Sequence, residues 1–112
     1  MPRIPSIFTK IKKEVLGSCY DLSVAFLVPA KMRAITLRTK GKNKVSNVLS
    51  FPLSKTSGEI LLCKAAAKPY SVEFLFIHGL LHLKGLKHSA TMERMENQLL
   101  KKYGFQRLAT RV

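Results

Sequence analysis

Hydrophobic and polar positions follow three successive patterns along the first third of the chain. Between residues 6 and 16 an apolar residue recurs every four positions with lysines opposite, which is typical of a helix with one buried face. Residues 20–28 are rich in β-branched and aromatic side chains and alternate in part, so they predict a strand that ends at Pro29. Residues 30–38 predict a short second helix.

Two further strands are predicted in the middle of the chain, each beside a loop. Residues 39–44, TKGKNK, form a basic polar stretch that is typical of a loop. The apolar run at 47–51 predicts a strand that closes at Pro52, since proline removes a backbone donor from a sheet. Residues 54–58, SKTSG, predict a second loop, and residues 59–63 predict the strand that follows it.

The longest apolar segment lies at residues 72–83. Pro69 suits the start of a helix, and apolar side chains then occur on nearly every side of the helix that the segment predicts. A helix that is apolar all round is a buried helix, and Gly85 is well placed to end it. We therefore expect this helix at the centre of the core.

A last helix is predicted near the end of the chain. Ser89 or Thr91 is suited to cap its first turn, and Glu93 and Glu96 would lie near the positive end of the helix dipole. Gly104 is expected to stop it.

The irregular order of helices and strands predicts an α+β fold, with a small mixed β-sheet packed against helices. A chain of 112 residues is long enough for one hydrophobic core and too short for two. We therefore expect residues 1–112 to form a single domain.

The charge of the chain is strongly one-sided. Lysine and arginine number 20 against 6 acidic residues, which gives a formal net charge of +14. Such a field favours a polyanionic partner, with nucleic acid first, although a lysine surface that only aids solubility remains an alternative. A membrane surface comes third, because the basic residues are not gathered on one amphipathic helix, and no apolar run is long enough to span a bilayer.

The two cysteines and the N-terminus bear on the compartment. Cys19 and Cys63 lie far apart in apolar stretches, so they are expected to be small buried residues of a reduced cytoplasmic protein rather than a disulfide. The basic N-terminus lacks the apolar centre of a secretory signal. A mitochondrial transit peptide remains open on composition, but the first helix of the domain is the favoured interpretation.

All three histidines lie in one stretch, HGLLHLKGLKH, at residues 78–88. His78 and His82 are four apart and so share one face of the buried helix, while Gly85 permits a turn that brings His88 back. The pattern HxxxHxxGxxH is the ligand spacing of metzincin zinc proteases, in which three histidines leave one coordination position open. Three unrelated histidines are disfavoured, because unpaired polar rings on an apolar helix are costly.

The motif differs from that of the proteases at the residue after the first histidine. There the proteases carry a glutamate that acts as the general base, whereas this chain has Gly79. No carboxylate lies between His78 and His88, but Lys84 and Lys87 do. Positive charge beside a metal suits a phosphodiester substrate better than a peptide.

Four segments resemble one known family. HGLLHLKGLKH resembles the HGxLHLxGxDH signature of the YbeY family, and TKGKNKVSNVLSFP resembles its YRGKxxxTDVLSFP segment. GEILLC occurs where the family has its GDIxI strand, and MERME resembles the acidic Met-Glu stretch of the family's terminal helix. The resemblance extends from about Leu37 to Phe105.

The resemblance implies a single-domain, zinc-dependent endoribonuclease. Its fold would be a small mixed sheet packed against helices, with the zinc-binding helix at the centre. The family acts on single-stranded RNA, in 3′-end maturation of 16S rRNA and in ribosome quality control. His78, His82 and His88 fall on the ligand positions for one zinc ion. Lys40 falls on the family's functional arginine, while Glu59 and Lys87 replace two of its aspartates.

Our leading hypothesis is a zinc-dependent endoribonuclease that acts on single-stranded rRNA, in contact with the small ribosomal subunit or ribosome-associated proteins. Its catalytic residues would be His78, as a metal ligand, and Lys40. The expected RNA-binding residues share positive charge and proximity to the motifs in sequence. They are Arg38, Lys40, Lys42, Lys44, Lys84 and Lys87.

Two other functions remain open. One is an RNA-binding ribosome-assembly factor with a structural zinc, closed by Cys63 or Glu59 as a fourth ligand. The other is a hydrolase of a small molecule or a protease, which Gly79 and the net charge disfavour.

We expect the affinity for single-stranded RNA to fall steeply with added salt, because lysine–phosphate contacts release counterions. Fluorescence anisotropy of a labelled RNA, over about a fourfold range of salt concentration, measures this slope. A slope equivalent to less than about one phosphate contact would show that lysines do not carry the affinity.

Overall fold

The structure is a computed structural model that describes residues 5–109 of the chain. It contains four helices and three strands, in the α+β arrangement predicted. In chain order they are α1 (Ser6–Leu16), β1 (Asp21–Phe26), α2 (Pro29–Lys40), β2 (Val48–Ser54), β3 (Ser57–Leu62), α3 (Val72–Leu83) and α4 (Ala90–Tyr103), with a short 3-10 turn at Lys64–Ala66 before α3.

The three strands form one mixed sheet with β3 in the middle. β1 pairs with β3 in parallel, and β2 pairs with β3 antiparallel, so the strand order is β1-β3-β2. The parallel pair needs a crossover, which α2 and β2 provide, whereas β2 and β3 are joined by a tight turn. The small mixed sheet predicted from the sequence is therefore confirmed.

Alternating residues of β3 and the position after it divide the core into two layers. Ile60 and Leu62 face the larger cluster, which is formed with α1, α3 and α4. Leu61 and Cys63 face the smaller cluster, which includes Met32 of α2. Because successive side chains of a strand point to opposite faces, β3 is covered by helices on both sides.

The buried helix predicted at residues 72–83 is confirmed as α3. It lies against the sheet on one side and against α1 and α4 on the other, with the rings of Phe8 and Phe76 stacked at a centroid separation of 4.0 Å. Its first turn is capped by Ser71, whose Oγ accepts a hydrogen bond from the backbone N–H of Phe74. α4 begins at Ala90 and is capped by Ser89, one of the two predicted caps, and not by Thr91.

Several predicted bounds were wrong because tertiary contacts extend the elements. α2 begins at Pro29 and continues to Lys40, so Lys40 ends a helix instead of lying in a loop. β2 continues through Pro52 to Ser54, since it is an edge strand where a missing backbone donor is tolerated. β3 begins at Ser57, within the predicted loop.

The cysteine prediction was half right. Cys63 is buried, as expected, but Cys19 is exposed in the turn between α1 and β1. No helix among the described residues is both long and apolar enough to cross a membrane. The predicted single domain of residues 1–112 includes residues 1–4 and 110–112, which lie outside the described residues.

Gly79 lies where α3 packs tightly against β3. A Cβ atom built on Gly79 would lie 3.1 Å from Cδ1 of Ile60 and 3.3 Å from its Cγ2. Both residues are buried, so a side chain at this position would crowd that of Ile60, which would have to shift by a few tenths of an ångström for a Cβ alone. The packing of the helix therefore disfavours a side chain as large as the glutamate of the protease motif at this position.

We predict that Gly79→Ala and Ile60→Val compensate for each other. The first change crowds Cδ1 of Ile60, and the second removes that atom, so the double variant should be more stable than the sum of the single costs by about 0.5 kcal/mol or more. Urea unfolding of the four proteins measures this coupling. Ile11→Val, at another fully buried site, is the control and should combine additively with Gly79→Ala; additivity of both pairs would contradict the prediction.

Candidate metal centre

His78 and His82 project from the same face of α3, one turn apart. Their Nε2 atoms are 3.0 Å apart, and the ring planes meet at 88°. Both side chains are only partly exposed, whereas most of α3 is buried. Beyond Glu73 in its first turn, the two imidazoles are therefore the polar part of this helix.

A turn after α3 brings the third histidine to this pair. Gly85 has φ of +105°, a conformation that L side chains rarely adopt, and the N–H of Leu86 donates to the carbonyl of Leu81 at 3.0 Å. The ring of His88 then lies 4.9 Å from that of His78 and 4.7 Å from that of His82, measured between centroids. One ligand atom from each histidine lies within 4.8 Å of the others, so the three could hold a metal ion.

Hydrogen bonds at Nδ1 determine which ring nitrogens face each other. Nδ1 of His82 lies 3.0 Å from the carbonyl oxygen of Leu86, which can only accept, so this Nδ1 carries the proton. Nδ1 of His78 lies 2.6 Å from Oε2 of Glu96, and as the donor to a carboxylate it is protonated too. In both rings Nε2 is then the atom with the free lone pair.

This arrangement fits a metal better than it fits a pair of neutral histidines alone. Two Nε2 lone pairs directed at one another across 3.0 Å repel unless a cation lies between them. Two nitrogen ligands of a tetrahedral zinc ion are about 3.3 Å apart, close to this separation. Burial and the neighbouring His78 lower the pKa of His82, which favours the neutral form that a metal requires.

The structure does not bring a fourth protein ligand to the three histidines among the described residues. Cys63 packs in the smaller core cluster with Met32 and Leu49 on the α2 side of the sheet. Glu59 pairs across the sheet with Phe51 and does not join the histidine cluster. The three histidines therefore leave a coordination position of a bound metal without a protein ligand from the described part of the chain, and a cavity lies beside them.

Three cavities meet along one surface, and Asn47 and Val48 line all of them. The histidine cavity contains the three histidines, together with Ser50, Pro52 and Lys40. The lysine compartment shares Lys40 with it, and the aromatic compartment shares His78 and His88, so the three form a continuous groove past the histidines. The lysine compartment is lined by Lys40, Lys42, Lys44, Thr36 and Ser46, and the aromatic compartment by Tyr70, Phe74, Glu93, Glu96 and Arg107.

The lysines predicted to bind RNA are not all placed alike. Lys40 lines both the histidine cavity and the lysine compartment, with its Nζ 5.5 Å from the centroid of the Phe51 ring. Lys42 and Lys44 line the lysine compartment with it. These three residues bring positive charge to one end of the groove.

The other three predicted residues lie outside the groove lining. Arg38 is exposed in the last turn of α2, and Lys87 is exposed beside the third histidine. Nζ of Lys84 instead donates to the carbonyl of Val15 on α1 at 3.1 Å, and Lys84 lines a separate cavity with Glu14.

Two residues of the site were missed from the sequence. From the sequence, Glu96 was interpreted only as an acidic residue near the positive end of a helix, but it is 4% exposed and bonds to His78. Its position between Met92 and Leu99 on the apolar stripe of α4 was the available signal. Arg107, which lies 3.6 Å from Glu96, gave no signal because only the tertiary fold brings it there.

These features define a class: a small α+β domain with an open three-histidine metal site on a buried helix, in a groove with a basic end. The family model described as Endoribonuclease YbeY matches residues 4–104, and the chain belongs to this family.

Proteins named Endoribonuclease YbeY from several bacteria are similar to this chain. The Rubrobacter xylanophilus protein is 35% identical over 80 residues, covering 68% of this chain and 58% of that protein. The Chelativorans sp. protein is 35% identical over 108 residues, which cover 80% of this chain and 66% of that protein. The Buchnera aphidicola protein is 29% identical over 119 residues, which cover 84% of this chain and 75% of that protein. The chain thus spans between 58% and 75% of the length of these relatives.

We predict that Glu96→Gln weakens metal binding by about 10- to 100-fold, because it removes the charge that orients and polarises His78. Isothermal titration of the purified chain with Zn²⁺ measures this. Glu14→Gln is the matched control, since Glu14 contacts Lys102 and Tyr103 instead of a histidine. Equal affinities for the two variants would show that the Glu96 carboxylate does not support the site.

Proposed function

We propose that this protein is a zinc-dependent endoribonuclease of the cytoplasm that cleaves single-stranded rRNA, in 3′-end maturation of 16S rRNA and in ribosome quality control. One zinc ion would be held by His78, His82 and His88. The observation that carries the proposal is the convergence of three imidazoles, without a fourth protein ligand among the described residues, in a groove whose next compartment is lined by three lysines.

The lining of the histidine cavity favours a phosphodiester substrate. Among the described residues that line it there is one cation, Lys40, and no carboxylate. A phosphate entering this cavity would meet this ammonium group and the histidines, whereas a peptide would find no carboxylate among the described residues that line it. A bound zinc ion would act as a Lewis acid on a phosphate oxygen.

Different residues along the groove would bind phosphates, stabilise charge and orient a metal ligand. Lys42 and Lys44 would hold phosphates beside the cleaved one, and Lys40 would offset the charge that develops during cleavage. Glu96 would keep Nε2 of His78 directed at the metal. Nζ of Lys84 donates to the carbonyl of Val15 on α1, so the contact that we propose between Lys84 and RNA would lie outside this groove.

Arg38 and Lys87 would contact RNA beyond the groove. Both are exposed and positively charged, and each lies close in sequence to a residue that lines the groove. A small ribosomal subunit or a ribosome-associated protein would present the RNA. A structural zinc in a non-catalytic assembly factor is less well supported, because Cys63 and Glu59 do not join the histidines.

We predict that the purified chain cleaves a single-stranded rRNA 3′ precursor and that His82→Ala abolishes both cleavage and bound metal. Lys40→Ala should keep the metal but slow cleavage by at least about tenfold, because it removes one charge from the cavity. Lys10→Ala, at an exposed position of α1, is the charge-matched control and should cleave normally. The measurements are gel-resolved cleavage rates and metal content of each protein.

Two outcomes would contradict the proposal. Cleavage that survives in the metal-free His82→Ala variant would show that the histidine site is not the source of the activity. Bound zinc without cleavage, with the RNA presented on small ribosomal subunits as well as free, would favour the assembly-factor function.

A further inference from the structure

The segment that follows α4 returns to the start of α3 and is held there by backbone hydrogen bonds. The N–H of Ser71 donates to the carbonyl of Arg107 at 2.9 Å, and the N–H of Ala109 donates to the carbonyl of Pro69 at 2.8 Å. An isolated antiparallel bridge joins Tyr70 and Leu108 between these two bonds. The backbone position of Arg107 is therefore fixed by the same turn that begins the histidine helix.

The side chain of Arg107 is held from three directions. Its guanidinium carbon lies 4.4 Å from the centroid of the Phe74 ring, and Nη2 donates to Oδ1 of Asn97 at 2.8 Å. The same Nη2 is 3.6 Å from Oε1 of Glu96, close enough for an ion pair though long for a hydrogen bond. A planar cation stacked on an aromatic ring, with its edge toward polar oxygens, is an arrangement that arginine makes and lysine does not.

Glu96 is thereby held at both of its oxygens. Oε2 accepts the 2.6 Å hydrogen bond from Nδ1 of His78, while Oε1 faces Arg107. The side chain of Glu96 is 6% exposed, so these two partners take the place of water in fixing its orientation. Any rotation of the carboxylate would move the acceptor away from Nδ1 and would free the ring of His78 to turn.

We propose that Arg107 is a positioning residue of the metal centre, which acts through Glu96 to keep Nε2 of His78 directed at the other two histidines. The inference rests on the proposed metal site and adds a residue that the family match, which ends at residue 104, does not include. Arg107 contacts no metal ligand itself; its influence passes through one buried carboxylate.

The test compares Arg107→Met, Arg107→Lys and the unaltered chain, with Arg94→Ala as control. Met keeps apolar packing on Phe74 without charge or donors, and Lys keeps the charge without the planar fork. Arg94 is an exposed residue of the same helix as Glu96. Zn²⁺ affinity is measured by titration, thermal unfolding is recorded without metal, and the Nδ1 proton and nitrogen signals of each histidine are followed by NMR in the metal-free chain.

We expect Arg107→Met to bind Zn²⁺ about tenfold more weakly, Arg107→Lys to lie between it and the unaltered chain, and Arg94→Ala to bind normally. The Nδ1 proton of His78 should exchange faster in Arg107→Met, while that of His82, which donates to a backbone carbonyl, should not change. This difference between two histidines of one helix is a readout that a general loss of stability would not produce.

The inference is overturned if Arg107→Met lowers the melting temperature but leaves the Zn²⁺ affinity and the His78 signals unchanged, because Arg107 would then only anchor the returning segment. Failure of the proposed function gives a different result. An unaltered chain that binds Zn²⁺ but cleaves no RNA would contradict the endoribonuclease proposal and leave the positioning role intact. An unaltered chain that binds no Zn²⁺ would overturn both.

Discussion

The site depends on how closely α3 packs against β3. Gly79 allows the helix backbone to approach Ile60 so closely that even a Cβ atom would crowd the Ile60 side chain. This contact buries α3 between the sheet and helices α1 and α4, so that the polar rings of His78 and His82 emerge on the one side that the groove leaves open. The same glycine removes the acidic base of the protease motif, and a packing requirement thus also limits the chemistry.

Polar groups behind the histidines form the hydrogen bonds that the apolar core cannot supply to the imidazole rings. An imidazole on a buried helix needs a partner for each nitrogen, and the partners here are of two kinds. His82 uses the backbone of the turn that Gly85 permits, whereas His78 uses the buried carboxylate of Glu96. With both Nδ1 atoms bonded, the two Nε2 atoms are left for a metal, and α4 contributes to the site without contacting the groove's central cavity.

The two ends of the groove differ in the charge of the residues that line them. Lysines line one end, the histidines lie in the middle, and the other end combines Glu93 and Arg107 with the aromatic rings of Tyr70 and Phe74. A polyanion would be drawn to the lysine end, because no acidic residue among the described ones lines it. The net charge of +14 therefore has a local counterpart where the chemistry is proposed to occur.

The sequence by itself determined the features that depend on local spacing: the buried helix, the face shared by His78 and His82, the turn at Gly85, the α+β class and the resemblance to a family that the comparisons then showed. Only the tertiary structure decided which residues from distant segments meet. Lys40 proved to end a helix. Glu96 proved to lie behind His78, 18 positions away, and Arg107 reaches Glu96 through the segment that returns to the start of α3. Periodicity reports which face of an element is buried, but not which neighbour that face will contact, and that contact is what orients the metal-binding side chain.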